Sequence, residues 1–591
     1  MKKEAVFHIN TEDCIYPVSR DELVVRLRTG REDMKKCRII YWNRTDPDMK
    51  KEQQLECYAR DELFDYYQTK LQFTKVARYQ KYYFELEDKE GTTCYYAANG
   101  ITHTPPCDGY FEFLYANPKD VLESPEWAKG IIYYQIFPER FCDGDITNNP
   151  AGYDAWGTLP TRENYMGGDL KGICDKVEYL EKLGVECLYL TPIFKGDFNH
   201  KYATTDYFEI DPMFGTKEDL HKLVDKCHRY GIKILLDGVF NHTGIHFAPF
   251  EDLLKNQEHS RYKDWFFVNK IPTAISHRDY ECVGAYKWMP KLNTANKEVR
   301  EFILSVMDYW IREYHIDGWR LDVSDEVDST VWQEARLMLK EKYPDIILLG
   351  ETWGYGGRLL RGNQMDSVMN YIFRDAVRDY FGKEIISSKD FDARVNAMLG
   401  INKSETSQLL YNPLDSHDTE RFLFYCGGDK KKMKLAVAFQ LLFVGSPAIF
   451  YGDEVGIDGD NDPDCRKCMV WDETADNDLF EWYWNLIQIR KQYDSIRKGD
   501  YHTILFDEKF YGFKRTLGQE TLYVLLHKGE KTETVNCPVL EKGTYIDILS
   551  NEKYESESIE EKHFYNEDIV DYQAYIPLKT EPYSIKVIKK I

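Results

Sequence analysis

The sequence lacks the features of a membrane-bound or secreted protein. It has no uninterrupted run of about 18 apolar residues, which is the length that indicates a membrane-spanning helix. Its first residues, MKKEAVFH, have no apolar core of the kind that a signal peptide carries. We therefore expect a cytoplasmic protein that has no membrane partner.

An excess of basic residues is also missing. The chain has 77 lysines and arginines against 100 aspartates and glutamates, which gives a formal net charge of −23. Nucleic acids and anionic membranes bind to basic surfaces, so this balance argues against both as partners. A neutral substrate is more compatible with such an acidic chain.

Cysteine is too sparse for a fold held together by disulfides. The 14 cysteines are scattered over 591 residues, and in a cytoplasmic protein we expect free thiols. The pair Cys465-x-x-Cys468 stands alone, whereas a zinc site needs two further ligands at suitable spacing. We therefore favour neither a metal nor a redox role for this pair, and we expect no organic cofactor.

Apolar residues are plentiful, at 43% of the chain, and they form three zones. Residues 1–120 contain short alternating stretches, such as LVVRLR at 23–28, which are typical of a β-sandwich. Residues 501–591 return to this pattern and predict a smaller C-terminal antiparallel β-sandwich. The zone between them, 121–500, follows a different rhythm.

Residues 121–500 alternate strand-like and helix-like stretches. The first strand is predicted at 131–137 and the sixth at 367–371, with apolar residues at helical spacing in the segments between strands. Eight such units indicate an α/β fold, a (β/α)8 TIM barrel. The stretch at about 242–292 has no clean periodicity and predicts an insertion after the third strand.

Polar residues stand where the barrel strands are predicted to end. In such barrels the active site lies at the C-terminal ends of the strands, and two carboxylates that flank a bond suit glycoside hydrolysis. Arg320 and Asp322 are two residues apart on one strand, so their side chains point to the same face. An adjacent arginine would keep a nucleophilic carboxylate ionised. The residues at the strand ends are Asp237, Asn241, His242, Arg320, Asp322, Glu351, His417 and Asp418.

Each of these motifs also has a structural interpretation. A buried Asp–Arg pair is more often structural than catalytic, since a charge buried without a partner is costly. Asp237, Asn241 and His242 could simply cap the next loop. The order of these motifs at successive strand ends of a predicted barrel favours an active site over these alternatives.

Four short blocks contain most of these residues: DGVFNH (237–242), GWRLDVSDE (318–326), GETW (350–353) and LDSHD (414–418). They resemble the blocks of the α-amylase superfamily, glycoside hydrolase family 13. Further segments are similar to its neopullulanase, cyclomaltodextrinase and maltogenic amylase branch: MPKLN (289–293), YQIFPERF (134–141), GGDLKGI (167–173) and NDPDCRKCMVW (461–471). The resemblance covers essentially the whole chain, and the N-terminal sandwich resembles a starch-binding module.

The resemblance implies a role for each site residue. Asp322 is the expected nucleophile, Glu351 the general acid/base, and Asp418 the carboxylate that binds sugar hydroxyls and stabilises the transition state. Arg320 would orient Asp322. Without the resemblance, Tyr202 could as readily be a core aromatic residue. The further substrate contacts that the resemblance implies are His200, Tyr202, His242, His417, Asp462 and Arg466, with Glu326 and Trp353 on the acceptor side.

The loop DGDITNN (143–149) is a candidate calcium site. Its oxygen-bearing side chains, which suit Ca2+, belong to Asp143, Asp145, Asn148 and Asn149. An Asx-rich turn is the simpler interpretation of this spacing alone. The resemblance adds the carbonyl of Gly167 and the carboxylate of Asp169 as ligands, and it therefore implies a structural calcium ion.

A few positions depart from the pattern of the family. Ala203 stands where relatives often carry Asp, which would remove one polar contact near the donor sugar. Asp325 stands where an Asn is common and adds a charge near Glu326. In the calcium loop, Asp143 and Asn149 stand where relatives more often have Asn and then Asp. None of these departures affects the three expected catalytic acids.

The expected function is retaining hydrolysis of α-1,4 glucosidic bonds in cyclodextrins, maltooligosaccharides and pullulan. Cleavage of α-1,6 bonds and transglycosylation are left open. The alternatives are a non-catalytic glucan-binding or transport-accessory protein, and a glucan transferase or debranching enzyme. The three acids in place disfavour the first alternative, and the MPKLN block disfavours the second. The resemblance also implies a homodimer in which the N-terminal domain lies near the partner's active site.

Overall fold

A computed structural model describes residues 1–271, 273–472, 474–559 and 572–591. The N-terminal part is a sandwich of two antiparallel sheets that share one apolar core, in which Leu23 and Val25 meet Ile39 and Phe84. One sheet contains Ile15–Pro17, Glu22–Gly30, Glu56–Arg60 and Phe64–Gln72. The other contains Met34–Asn43, Lys51–Gln54, Arg78–Asp88, Thr93–Ala97, Gly100–Thr102 and Phe111–Tyr115.

Eight parallel strands, β1 to β8, form the central sheet. They are neighbours in chain order from β1 to β6, and β8 pairs with both β1 and β7. A parallel bridge from Met369 to Tyr411 joins the β6 and β7 sides, so the sheet closes into the predicted TIM barrel. In chain order the strands are Tyr133–Ile136, Cys187–Leu190, Lys233–Gly238, Gly318–Leu321, Ile347–Gly350, Ser367–Val368, Tyr411–Pro413 and Ser446–Phe450.

The longer helices surround this barrel. Most begin at a side chain that accepts a backbone N–H, as Asn296 does from Glu298 at 2.8 Å, which satisfies a donor that the first turn leaves free. In chain order they are Leu170–Asp175, Val177–Leu183, Lys217–Arg229, Ala248–Asn256, Lys297–Tyr314, Ser329–Lys342, Tyr371–Val377, Ser388–Ile401, Lys430–Leu442 and Asn477–Gln492.

The approach to β4 shows how the sequence positions the site. The helix Lys297–Tyr314 buries Val299, Ile303 and Trp310, and burying each such side chain stabilises the fold by about 1.5–3 kcal/mol. Gly318, at the start of β4, has a φ of +151°, and a Cβ on this residue would lie 2.1 Å from the carbonyl oxygen of Ile347. Only glycine therefore lets β4 lie flat against β5, which fixes the register of the residues that follow.

Strand β6 is shorter than the sequence indicated. Its regular part is Ser367–Val368, and pairing continues through the bridge at Met369 and the Asn370 N–H, which donates to the Tyr411 carbonyl at 2.8 Å. The predicted strand at 367–371 was wrong at its last residue, Tyr371, where a helix starts that the side chain of Asn370 caps by accepting the N–H of Phe373.

The segment after β3 contains the helix Ala248–Asn256. An isolated bridge from His242 to Lys291 joins the two ends of the segment, and a second from Phe266 to Leu292 joins its middle to its end. Beyond the barrel, the C-terminal part has two antiparallel sheets. The larger contains Asp500–Phe506, Phe510–Leu517, Glu520–His527, Thr544–Asp547, Lys553–Glu555 and Ser584–Lys590. The smaller contains Glu533–Val539, Glu557–Ser558 and Ala574–Thr580.

Polar contacts fix both outer sandwiches to the barrel. Tyr58 in the N-terminal sandwich donates to the carbonyl of Gly400 at 2.9 Å, and Tyr511 in the C-terminal sandwich donates to Asp392 at 2.9 Å. All 14 cysteines are free thiols. In the described part of the chain, no helix combines the length and the apolar character that crossing a membrane requires.

Candidate active site

One buried arginine gathers three carboxylates at the mouth of the barrel. Arg320 has no exposed surface, and its Nη1 donates to Asp237 at 2.9 Å and to Asp322 at 2.8 Å. Its Nη2 lies 2.8 Å from Glu351 Oε2. Asp237 pairs with Arg320 in the β3–β4 register, and Glu351 directly follows β5. The three strands therefore bring the predicted nucleophile and acid together on one guanidinium.

The electrostatics of this group differ from the sequence expectation. Burial and the neighbouring Glu351 raise the pKa of Asp322, although Arg320 opposes both effects. Burial also raises the pKa of Asp237 to about 6, again against Arg320. Three carboxylates outnumber one guanidinium, so the group as a whole favours retaining a proton, and that proton belongs to the coupled cluster. The arginine alone does not dominate the ionisation of Asp322.

Val323, next to the predicted nucleophile, has a strained backbone. Its φ is +43°, a conformation that costs a β-branched residue about 1–3 kcal/mol. In this conformation its N–H donates to Glu351 Oε2 at 2.9 Å. The strain therefore holds the predicted acid beside the predicted nucleophile.

Tyr202 and His417 stack beside the carboxylates. Their rings are 5.4 Å apart and nearly parallel, and the Tyr202 hydroxyl contacts both His417 Nε2 at 2.6 Å and Asp237 Oδ2 at 2.9 Å. His417 Nδ1 is 2.6 Å from the side chain of Gln135 on β1. Tyr202 is thus a member of the site and not an isolated core aromatic residue.

The histidines of the site are neutral. Burial lowers the pKa of His200 and of His242 to about 3, and it lowers the pKa of His417 well below its ordinary value. His200 Nδ1 accepts the N–H of Tyr202 at 3.0 Å, while His242 Nε2 is buried without a partner. A neutral imidazole can donate one hydrogen bond and accept another, which suits the hydroxyl groups of a sugar.

Asp418 is anchored from the loop after β8. Arg466 donates through Nε to the His417 carbonyl at 2.7 Å and through Nη2 to Asp418 at 3.2 Å. Its Nη1 lies 2.8 Å from Asp462. The side chain of Asp418 remains 32% exposed, so this carboxylate is oriented but still open to a ligand.

An exposed aromatic side chain stands two residues after Glu351. Trp353 is 53% exposed and stacks on Tyr371 at 4.1 Å between ring centroids. Glu326 is directed to Lys291 at 2.7 Å, and Asp325 accepts the Thr352 hydroxyl at 2.9 Å. Of the two expected acceptor contacts, Trp353 offers a free surface and Glu326 is held in an ion pair.

Two residues of this geometry, Tyr371 and Val323, were absent from the predicted site. A third, Asp237, was predicted at a strand end but was given no role, and its register with Arg320 supplies that role. Tyr371 was assigned to a strand, so its stack with Trp353 was not anticipated. Val323 gave no signal, because a strained backbone is not visible in a sequence pattern.

The loop at 143–149 offers oxygens that fit a calcium ion. Asp143 Oδ1, Asn148 Oδ1 and Asn149 Oδ1 are all buried without a hydrogen-bond partner, and such orphaned acceptors are rare. Gly167 lies against this group, since a Cβ there would be 2.5 Å from Asn149 Oδ1. The donor set is all oxygen, as calcium prefers.

The other two expected ligands have different partners. The Asp169 carboxylate accepts N–H groups from Gly144 at 3.1 Å, Asp145 at 2.9 Å and Gly172 at 2.6 Å, and it caps the helix Leu170–Asp175. Asp145 Oδ1 accepts from Thr147 at 2.7 Å. In the described residues no three His, Cys, Asp or Glu side chains lie together as metal ligands, so a cation here would depend on the single carboxylate of Asp143 together with asparagine and main-chain oxygens.

Comparison with known proteins agrees with this geometry. Residues 135–495 match the family described as alpha amylase, catalytic domain, and residues 1–117 match the alpha amylase N-terminal ig-like domain. The cyclomaltodextrinase of Geobacillus thermopakistaniensis (strain MAS1) is 40% identical over 94% of this chain and 97% of its own length. Neopullulanase 2 of Thermoactinomyces vulgaris is 42% identical over 94% and 96%. A solved cyclomaltodextrinase structure aligns with a TM-score of 0.92 at 37% identity and covers 100% of both chains.

Proposed function

We propose, since this chain belongs to the α-amylase family of glycoside hydrolases, that it is a retaining hydrolase of α-1,4 glucosidic bonds. The observation that carries the proposal is the pairing of Asp322 and Glu351 on opposite nitrogens of Arg320, at 2.8 Å each. Carboxyls held on one guanidinium fit the spacing of about 5–5.5 Å in retaining enzymes better than the wider spacing of inverting ones.

In the proposed reaction Asp322 attacks the anomeric carbon while Glu351 protonates the departing glycosidic oxygen. A covalent glycosyl-enzyme intermediate forms, and Glu351 then takes a proton from the water that releases the sugar. Asp418 would bind sugar hydroxyls and stabilise positive charge in the transition state. The neutral His417 and His242 would hold further hydroxyls of the same ring, with Tyr202 beneath it.

Cyclodextrins, maltooligosaccharides and pullulan are the substrates that we propose. The support is the high identity to a cyclomaltodextrinase and a neopullulanase over almost the whole chain. The exposed stack of Trp353 on Tyr371 offers a flat apolar surface on which the acceptor-side sugars can lie. Arg466 and Asp462 would bind sugars on the far side of the bond.

Initial rates on β-cyclodextrin, pullulan and soluble starch test this proposal. We expect β-cyclodextrin to be cleaved fastest, with maltose and glucose as products identified by chromatography. The Asp322→Asn variant serves as the inactive control. Starch cleaved as fast as β-cyclodextrin would contradict the substrate preference, and no cleavage of any glucan would contradict the function.

We also propose a structural calcium ion held by Asp143, Asn148, Asn149 and the carbonyl of Gly167. The support is the three buried oxygens without partners. Isothermal titration of the chelator-treated protein with calcium alone should show one site, and Asp143→Ala should abolish it. Binding of equal strength in Asp143→Ala would remove this loop from consideration.

Finally, we propose a cytoplasmic homodimer in which the N-terminal sandwich lies near the partner's active site. Asn10 donates to the carbonyl of Glu112 at 2.6 Å, which joins two segments that expose Phe7, Ile9, Leu114 and Tyr115. The free state of all 14 cysteines fits a reducing compartment. Light scattering should give a dimer that Leu114→Glu dissociates, and cell fractionation should recover the protein with cytoplasmic enzymes.

A further inference from the structure

A second buried charge cluster lies beneath the loops of the proposed site. It consists of Arg421, Asp415, Asp453 and Glu454, each between 0% and 1% exposed. Asp415 and Arg421 stand on either side of His417 and Asp418 in the loop after β7. Asp453 and Glu454 follow β8. We refer to these four residues as the Arg421 cluster.

Arg421 joins the loop after β7 to the loop after β8. Its main-chain N–H donates to the Gly459 carbonyl at 2.9 Å, and its Nε donates to the Cys465 carbonyl at 2.8 Å. Its Nη1 donates to the Tyr451 carbonyl at 2.7 Å and to Asp453 Oδ1 at 3.0 Å. The second of these loops carries Arg466, which in turn anchors Asp418.

Asp415 and Asp453 are in direct contact. Asp415 Oδ2 accepts the Phe422 N–H at 2.6 Å, whereas Asp415 Oδ1 is buried and receives no hydrogen bond from any ordinary donor. The Asp453 carboxyl lies within hydrogen-bonding reach of the Asp415 carboxyl. An ionised carboxylate can only accept hydrogen bonds. A hydrogen bond between two carboxyls therefore requires that one of them carries a proton.

The surroundings of the pair favour that proton. Among the described residues Arg421 is the cation that is hydrogen-bonded to the cluster, and Arg374 acts on Asp415 at longer range. Glu454 adds a third carboxyl, and it accepts hydrogen bonds from the hydroxyls of Tyr134 on β1 and of Tyr179, at 2.7 Å each. The other titratable groups of the described chain that face the cluster are Tyr411, Cys426, Tyr451, Cys465 and Tyr483. Burial raises the pKa of both Asp415 and Asp453.

We propose that Asp415 and Asp453 are positioning residues, and that one proton shared by their carboxyls keeps the loop of His417 and Asp418 docked on the loop of Arg466. This inference rests on the proposed hydrolase function. When the proton leaves at alkaline pH, two adjacent buried carboxylates repel each other and Glu454. The docked loop then moves, Asp418 loses its orientation, and the rate falls.

The test measures kcat and KM of the full-length chain across alkaline pH with α-maltosyl fluoride. Its leaving group needs no protonation, so general acid catalysis by Glu351 does not limit the alkaline side of the profile. In Asp453→Asn an amide N–H replaces the shared proton and cannot be lost. We expect its alkaline fall in kcat to lie at least about one pH unit above that of the wild type, a tenfold change in proton concentration.

Asp392→Asn is the matched control. Asp392 is also a buried carboxyl, but it binds Thr503 and Tyr511 at the C-terminal sandwich. Its alkaline profile should coincide with that of the wild type. If Asp453→Asn does not fold, Asp415→Asn takes its place, because its amide can accept from Phe422 and donate to Asp453.

Infrared spectroscopy gives an independent readout. The difference spectrum of the wild type minus Asp453→Asn cancels the proton of the Arg320 carboxyls, so it should contain the C=O band of the shared proton at neutral pH, and this band should vanish in step with kcat. A missing band, or identical alkaline profiles for the wild type and the amide variant, overturns the proposal. A wild type that cleaves neither α-maltosyl fluoride nor β-cyclodextrin contradicts the proposed hydrolase function instead.

Discussion

Two buried arginines in this barrel hold groups of carboxyls that have almost the same composition. Arg320 binds Asp237 and Asp322 and lies beside Glu351. Arg421 binds Asp453, beside Asp415 and Glu454. Neither arginine has any exposed surface. Burial and charge count therefore do not distinguish the two clusters.

What surrounds each cluster does distinguish them. The Arg320 carboxyls lie at the C-terminal ends of β3, β4 and β5, beside an Asp418 side chain that is 32% exposed. The Arg421 cluster is enclosed by Tyr134 and Tyr483, which are buried, and by Tyr179, which is half-buried. The first cluster can receive a substrate, whereas the second can only act through the loops that it joins. A buried arginine–carboxylate group indicates an active site only where a ligand can reach it.

We call the Arg320 group, Asp237, Asp322 and Glu351 included, the open cluster, and the Arg421 cluster the closed cluster. The largest effect is expected from a change of one atom in the open cluster. Asp322→Asn removes the proposed nucleophile but keeps its shape, so turnover of β-cyclodextrin should be abolished while binding and folding persist. Initial rates, isothermal titration with β-cyclodextrin and thermal unfolding measure these three properties. Asp392→Asn, in a buried site away from the mouth, is the control and should remain active. Turnover by Asp322→Asn would remove the assignment of the nucleophile.

The second change separates the two carboxyls of the open cluster. Glu351→Gln cannot protonate a leaving group, so hydrolysis of maltooligosaccharides should slow by at least roughly a hundred-fold. With an activated aryl glucoside the loss should be much smaller, since that leaving group departs without a proton. The ratio of kcat values on the two substrates is the measurement, and equal losses would contradict the acid role.

Much of the open cluster was predictable, because the alternation of strands and helices and the four short sequence blocks indicate the same site. Strand periodicity places Arg320, Asp322 and Glu351 at the same end of adjacent strands. The register of parallel strands then brings their side chains together. The register of Asp237 with Arg320 follows from the same pattern. Sequence spacing therefore determines which carboxyls meet at the mouth of the barrel.

The closed cluster was not predictable in this way. Asp415 and Asp453 belong to loops far apart in the sequence, and no periodicity reveals that their carboxyls share a proton. In the loop at 143–149, residue type suggested four equivalent ligands, but Asp145 is occupied by Thr147. A sequence shows which side chains have oxygens, whereas the folded chain decides which of those oxygens are already bonded.

The third prediction tests whether the closed cluster is structural at its core. Arg421→Met leaves buried carboxyls without their counter-charge, and the free energy of unfolding should fall by about 3–5 kcal/mol. Denaturant unfolding, monitored by fluorescence, measures this change. A fall below about 1 kcal/mol would mean that Arg421 contributes little to the fold.

The pH dependence of this loss has a definite sign. Folding raises the pKa of Asp415, Asp453 and Glu454, so their contribution to stability is fully present at acidic pH and declines as pH rises through the folded values. Without Arg421 these pKa values rise further. The deficit of Arg421→Met should therefore be larger at pH 8 than at pH 5, and a deficit that shrinks with rising pH would contradict a proton-holding cluster.

The smallest effect is expected at the rim of the open cluster, where a side chain contacts the substrate without touching the reacting atoms. Trp353→Ala removes an aromatic face that stacks on Tyr371, and such a stack contributes about 0.5–1.5 kcal/mol. The KM for β-cyclodextrin should therefore rise by between about twofold and tenfold, with less change for α-maltosyl fluoride, which leaves the acceptor side empty. Trp484→Ala, a 40% exposed tryptophan on an outer helix, is the matched control. If both variants shifted the KM for β-cyclodextrin equally, Trp353 would be an ordinary surface residue. The ligand-accessible surface that the Arg320 group has and the Arg421 cluster lacks would then have to lie elsewhere.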